Sequence, residues 1–316
     1  MTVPGEWSEF ELPDNLILRC YSKTVKTSSN GQVGSSPQAL ATMRRAVRII
    51  KEYARPYVFG MIHVPALPGT PMNRLALPEI LEIVKKEARI YASAKVDGII
   101  VENMHDIPYV KPPIGPEIVS SMTLACQAVS QTIGQQRDQM LLGVQILAGA
   151  NKEALAVAHC SGFDLIRAEC FVFSHVADEG WMDGCAGELL RYRRSIGADS
   201  VAVVTDVKKK HSSHAVTSDL SIGEVAEGAE FFLADGVVVT GRCTGEAADT
   251  ADFEAVRSHC SLPIFIGSGV TSSNVHQFRN ADALIVGSDF KKDGKWMNEL
   301  DIDRVKHFMN RINTLT

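Results

Sequence analysis

Three carboxylates, Glu102, Glu169 and Asp206, each stand where a run of apolar residues stops. An acid in that position must face the mouth of a buried parallel sheet or pair with a cation, so the three are candidate acid/base groups for proton transfer. Arg167 lies two positions before Glu169, which puts both side chains on one side of a strand, and an ion pair between them is the competing structural account. His63 closes the first apolar run and adds a group that titrates near neutral pH, although a hydrogen-bonded structural histidine fits the position equally. Asn103, Arg167, Lys208, Thr240 and Gly241 are read as substrate-positioning residues, because each sits at or just past the end of an apolar run. Lys208-Lys209-Lys210 is either a solvated charge run or, following Asp206 so closely, a source of an anion clamp. His211 and His214 have a spacing open to a divalent metal, but no third ligand lies nearby in sequence, so metal stays a weak alternative. Cys170, beside Glu169, is better read as a buried thiol than as a nucleophile.

A second kind of chemistry is carried by glycine. Ile264-Phe265-Ile266 opens into Gly267-Ser268-Gly269, and Leu284-Ile285-Val286 opens into Gly287-Ser288. Buried strands that end this way expose backbone N–H groups, and two such turns on neighbouring strands suit a phosphate. The ligand expected is therefore a phosphorylated small molecule. Neither a Gly-x-Gly-x-x-Gly fingerprint after an early strand nor a Walker sequence is present, so no cofactor is evident.

The elements that must position these residues alternate along the chain. Apolar runs fall at Val58–Val64, Gly98–Val101, Leu141–Leu147, Asp164–Ile166, Val201–Val204 and Val237–Val239, and the two glycine-ended runs complete eight. They are nearly continuous in apolar residues, as parallel strands buried on both faces require. Between them lie helical stretches: Pro78 to Ala94 with its stripe of Ile80, Val84, Ala88 and Tyr91, a capping box from Ser221 to Glu224, and a closing helix through Ile302 and Ile312. Eight units in roughly 260 residues predict an α/β fold, a (β/α)8 TIM barrel over 57–316, with a doubly wound open sheet as the alternative. Helix-to-strand connections are short, whereas those after Glu102, Glu169 and Asp206 are long, which assigns the chemistry to the strand C-terminal face.

The chain has 316 residues, 45% of them hydrophobic, and a formal net charge of −5. That balance argues against nucleic acid as the principal partner, and no apolar run approaches a membrane span. Seven scattered cysteines with no Cys-x-x-Cys pair suit a reducing compartment. Residues 1–56 form an extension that differs in kind: an acidic start, a Ser/Gly-rich middle at Ser28 to Ser36, and basic residues from Arg19 to Arg55. Its expected form is a linker followed by a helix, Ala39 to Tyr53, covering the barrel bottom; a targeting segment is the alternative. The expected location is cytoplasmic, with mitochondrial as the alternative, and association with a second copy of the chain is left open.

Several stretches also carry a family resemblance. Gly60-Met61-Ile62-His63-Val64-Pro65-Ala66-Leu67-Pro68-Gly69, then Asp97-Gly98-Ile99-Ile100-Val101-Glu102-Asn103, Gly143-Val144-Gln145, Arg167-Ala168-Glu169, Thr205-Asp206-Val207 and Val239-Thr240-Gly241 resemble the BtpA/SgcQ family. The resemblance runs from Tyr57 to about Phe290. It implies the ribulose-phosphate-binding class of barrels, whose phosphate turns map onto Gly267, Ser268, Gly269, Gly287 and Ser288, and it implies no established catalytic residues. The family's cyanobacterial namesake is described as a photosystem I biogenesis factor. Two functions are therefore carried forward: an enzyme of lyase or isomerase type acting on a phosphorylated metabolite, and a non-catalytic assembly factor that kept the barrel.

Overall fold

The computed structural model describes residues 44–241 and 244–315; the expectations for residues 1–43, including the linker and its Ser/Gly-rich middle, lie outside them. The chain enters through helix α1 (Arg45–Glu52) and then alternates: β1 (Tyr57–His63), α2 (Leu77–Ser93), β2 (Gly98–Glu102), α3 (Pro116–Ile133), β3 (Leu141–Gln145), α4 (Asn151–Ser161), β4 (Leu165–Ala168). A hairpin of β5 (His175–Ala177) and β6 (Gly180–Met182) follows, then α5 (Ala186–Ser195), β7 (Ala202–Val207), the short β8 (Ser212–Ser213), α6 (Ile222–Phe231), β9 (Gly236–Thr240) and α7 (Thr250–His259). The last elements are β10 (Ile264–Gly267), β11 (Ala283–Val286) and α8 (Ile302–Asn313). Eight parallel strands close a barrel in the order β1-β2-β3-β4-β7-β9-β10-β11, so the fold is the (β/α)8 barrel and not the open sheet.

Strand periodicity explains how one face became polar. Tyr57, Phe59 and Met61 share an inward parity with His63, and Ile100 shares it with Glu102. With Leu141, Leu165, Val204, Val238, Phe265 and Ile285 they fill the barrel floor. Further along, at the same inward parity, come Gln145, Arg167, Asp206 and Thr240, which replace the apolar floor with polar groups, and the glycines Gly267 and Gly287. The register His63↔Glu102↔Gln145 sets the first three at one level.

The floor is closed by α1. Ala46, Val47 and Ile50 belong to the same apolar cluster as the inward strand residues. Beneath them an aspartate precedes every second strand and accepts a hydrogen bond from a neighbouring strand's amide: Asp97 from Val58 at 2.9 Å, and Asp164, Asp235 and Asp282 from Leu142, Val203 and Ile264 at 2.8 Å. The basic residues around α1 meet this acidic ring. Arg44 pairs with Asp235, Arg45 with Asp164 at 2.6 Å, and Arg55 with Asp97 at 2.6 Å. Composition alone had left these arginines open to a targeting role; here they hold a helix to the barrel.

Over the mouth, β5 pairs antiparallel with both β6 and β8, so the long loops after β4 and β7 form one three-stranded sheet. The aromatic-rich loop from Phe171 to Trp181 is thus packed against its neighbour.

Candidate functional site

Two adjoining cavities open on the strand C-terminal face. The larger, about 480 Å³, is lined by Glu102, Gln145, Arg167, Glu169, Lys209 and Lys210, with Tyr109, His211 and Trp296 on its walls. The smaller, about 220 Å³, is lined by His63, Ser268, Gly269, Val270, Thr271, Gly287, Ser288 and Arg304. Glu102, Met104, Arg167, Lys210 and Thr244 line both, so the two are one bipartite space.

The glycine turns form the wall of the smaller cavity. Ser268 and Gly269 have positive φ, 79° and 63°, and a Cβ on Gly269 would lie 2.1 Å from the carbonyl carbon of Glu246. Glycine is required there both by conformation and by the approach of the loop after β9. The serine has no such freedom, and non-glycine residues in this region concentrate at ligand-holding loops. Asp289 also lines this space, but its carboxylate is engaged by Arg304 at 2.9 Å and by the Ser272 amide at 3.2 Å. Gly267 sits just below, beside the Arg167 guanidinium, and does not reach the cavity wall.

The acids divide into two kinds. Asp206 accepts from Arg167 Nε at 2.8 Å and Nη2 at 2.9 Å, a buried bidentate pair. Burial opposes the charge on Arg167, but Asp206 outweighs it and holds the guanidinium firmly protonated. Glu169 instead meets Lys209 at 3.3 Å and the Gly149 amide at 2.9 Å. The Arg167–Glu169 pair of the competing structural account is therefore replaced by two separate pairs. The reason is local: β4 ends at Ala168, so strand alternation stops before it can bring Glu169 beside Arg167.

Glu102 is different, because no hydrogen bond from a cation holds its carboxylate among the described residues. Burial pushes its pKa up against the pull of Arg167 and Lys210, with Glu169 and Asp206 adding to the rise. His63 lies across from it, Nε2 to Glu102 Oε2 3.7 Å. Burial, seconded by Lys291, drives the His63 pKa well below its ordinary value, so the ring is neutral. Its Nδ1 lies 3.1 Å from the Trp296 carbonyl, which takes the N–H and leaves Nε2 as an acceptor facing Glu102. A carboxyl whose protonated form burial favours, set opposite an imidazole lone pair, can pass a proton in either direction. Next to them Gln145 Oε1 is buried and has no hydrogen-bond partner, an acceptor open to a ligand's donor.

Several expected site residues lie elsewhere. Asn103 is spent on the scaffold: its side chain donates to Asp106 at 2.8 Å and accepts from the Leu147 amide at 2.7 Å, and Asp106 accepts from the Leu67 amide at 2.8 Å, which braces the loops after β1, β2 and β3. Lys208 turns away from the mouth and donates to the Leu220 carbonyl, while Lys209 and Lys210 enter the cavity. Thr240 and Gly241 stop short of both cavities; the Gly241 amide donates to Ser268 Oγ at 3.1 Å. His211 reaches Thr244 at 3.1 Å, whereas His214 bonds the Lys209 carbonyl at 3.0 Å and packs at a tilt against the His175 ring. Among the described residues, no three His, Cys, Asp or Glu side chains are gathered as metal ligands. Cys170 is buried with its pKa pushed up to about 12, chiefly by desolvation, which suits an inert thiol. Sequence reasoning took Lys208 from the lysine run where the structure brings Lys209 and Lys210 to the cavity, gave Gln145 no role although inward parity was available to find one, and passed over Arg304.

Comparison with known proteins bears on the whole of this region. A model of the BtpA family matches residues 54–314. A Caenorhabditis elegans protein, uncharacterised but named as mitochondrial, is 57% identical over 262 residues, 83% of this chain and 95% of its own length. The photosystem I biogenesis protein BtpA of Synechocystis is 34% identical over 254 residues, 80% of this chain and 86% of its own. Among solved structures, KGPDC from Streptococcus mutans superposes with a TM-score of 0.51 at 8% identity, covering 83% of this chain and 99% of that one, a likeness of fold alone. Among the described residues, no helix is long and apolar enough to cross a membrane.

Proposed function

This chain belongs to the BtpA family, and from that premise we propose that it binds a phosphorylated small metabolite and catalyses a proton-transfer reaction of lyase or isomerase type on it. The observation that carries the reading is the continuity of the two cavities. A ligand whose phosphate sits against Ser268–Thr271 and Gly287-Ser288, near Arg304, extends past Glu102 and His63 into the larger space. In this reading Glu102 and His63 handle the proton, Gln145 takes a hydroxyl, and the Arg167–Asp206 pair holds the mouth in shape. That moves the chemistry from Glu169 and Asp206, which are tied to cations, to Glu102, which is not.

Proton chemistry can be read before the substrate is known. In D2O, NMR should show deuterium entering the carbon next to the carbonyl of ribulose 5-phosphate, dihydroxyacetone phosphate or a related phosphorylated sugar. Glu102→Gln should slow that exchange by about 100-fold or more, the scale of a lost acid/base group. A panel in which compounds stabilise the protein but none exchanges would favour instead a non-catalytic, ligand-holding factor, the reading that the Synechocystis relative's name supports. For location, the nematode relative's name supports the mitochondrial over the cytoplasmic alternative, and fractionation of cells expressing the full chain tests it.

A further inference from the structure

Every cation that lines the bipartite cavity has a carboxylate of its own, with one exception among the described residues. Arg167 is held by Asp206, Lys209 by Glu169 and Arg304 by Asp289. Lys210 forms no ion pair or side-chain hydrogen bond among the described residues, yet it lines both cavities at their junction, alongside Glu102. Its place is set by unusual backbone. Lys208 and His211 both have positive φ, 45° and 55°, and these two left-handed residues bracket Lys209-Lys210 and turn them into the mouth.

Resting on the reading above, we propose that Lys210 is a catalytic nucleophile that forms a Schiff base with the carbonyl carbon of a phosphorylated aldehyde or ketone. The absence of a salt bridge to Lys210 among the described residues is the first support, since a carboxylate partner would hold Nζ protonated and without a lone pair. Burial and the neighbouring Arg167 guanidinium lower its pKa, against the pull of Glu102, Asp206 and Glu169. A desolvated lysine beside another cation is how an amine becomes nucleophilic near neutral pH.

The step balances within the site. The Nζ lone pair adds to the carbonyl carbon, and the carbonyl oxygen leaves as water. One of that water's protons comes from Nζ and the other from the Glu102 carboxyl, whose protonated form burial favours. The products are a protonated imine and a Glu102 carboxylate. The imine draws electrons from the neighbouring carbon, so the new carboxylate, or His63, can take a proton from it. That supplies a carbon acid strong enough for the lyase or isomerase chemistry without any cofactor.

Borohydride trapping tests this directly. The full-length protein is incubated with dihydroxyacetone phosphate, or with unphosphorylated dihydroxyacetone, then reduced and mapped by peptide mass spectrometry. The expected result is one adduct per chain, on Lys210, formed with the phosphorylated compound and suppressed by excess inorganic phosphate. Lys210→Arg keeps the charge and should lose both the adduct and the deuterium exchange, while inorganic phosphate still raises its melting temperature. An adduct on Lys209 or spread over surface lysines would overturn the assignment, as would full exchange by Lys210→Arg, which is the behaviour of a mere anion clamp. No adduct with a phosphate-dependent rise in melting temperature would overturn the Schiff base and leave phosphate binding standing. No adduct and no rise would defeat both.

Discussion

At the residue scale, the carboxylates that look alike in sequence are separated by their partners. Asp206 shares two hydrogen bonds with the buried Arg167, so its loss strands a guanidinium inside the barrel. Asp206→Asn should cost about 3–5 kcal/mol of stability, visible in urea unfolding, because breaking a buried pair leaves an uncompensated charge. Near-wild-type stability would show that the pair is dispensable. Histidine His175 offers a check on pH. It is buried, its Nε2 has no partner, and desolvation with His214 and Lys209 nearby pushes its pKa down to about 4, against a weaker pull from Asp206. The unfolded chain takes up that proton near pH 6.5 while the folded one does not, so below 6.5 the unfolded state binds more protons. The stability contributed by a neutral His175 is therefore present above 6.5 and lost as pH falls towards 4. The stability difference between wild type and His175→Gln should shrink by that route from pH 7 to pH 5; a constant difference would contradict the burial account.

At the scale of elements, the barrel was readable because both-faces-buried strands leave continuous apolar runs, and each of the eight expected runs overlaps an observed strand. The capping box at Ser221 and Glu224 likewise marks the start of α6. What was not readable was the pairing across the mouth. Which of three consecutive lysines points inward depends on positive φ at Lys208 and His211, and no propensity signals that for lysine. The small sheet of β5, β6 and β8 joins loops far apart in sequence, so neither loop announces it alone. The aspartates ahead of β2, β4, β9 and β11 were a visible repeat whose meaning needed the neighbouring strand's amide. Asp235 is the sharpest of them, since it serves Arg44, the buried Arg193 at 2.7 Å and the Val203 amide at once. Asp235→Ala should lower the melting temperature far more than Lys86→Ala, which removes only an exposed pair with Glu299. Equal effects would mean that the acidic ring under the barrel is ornamental.

For the whole molecule, the division of labour follows the barrel axis. Acids and arginines lock the floor to α1, an apolar layer fills the middle, and the polar layer at the strand ends opens into the bipartite cavity. A stable floor is what permits a mouth crowded with charge and left-handed backbone, because strain at a site persists only where the surroundings determine it. The central claim is that the smaller cavity holds a phosphate. Gly269 is a poor place to test it, since any side chain there strikes the backbone of Glu246 and Ala247. Ser288, partly exposed on the cavity wall, is a better one. The deciding measurement is the melting temperature of wild type and Ser288→Asp with ribulose 5-phosphate, ribose 5-phosphate and their unphosphorylated sugars. A phosphorylated ligand at 100 times its dissociation constant adds about 2.7 kcal/mol of stability. The account predicts a rise with a phosphorylated compound, none with its parent sugar, and loss of the rise in Ser288→Asp while the variant stays folded; an equal rise in the variant, or with the parent sugar, would contradict it.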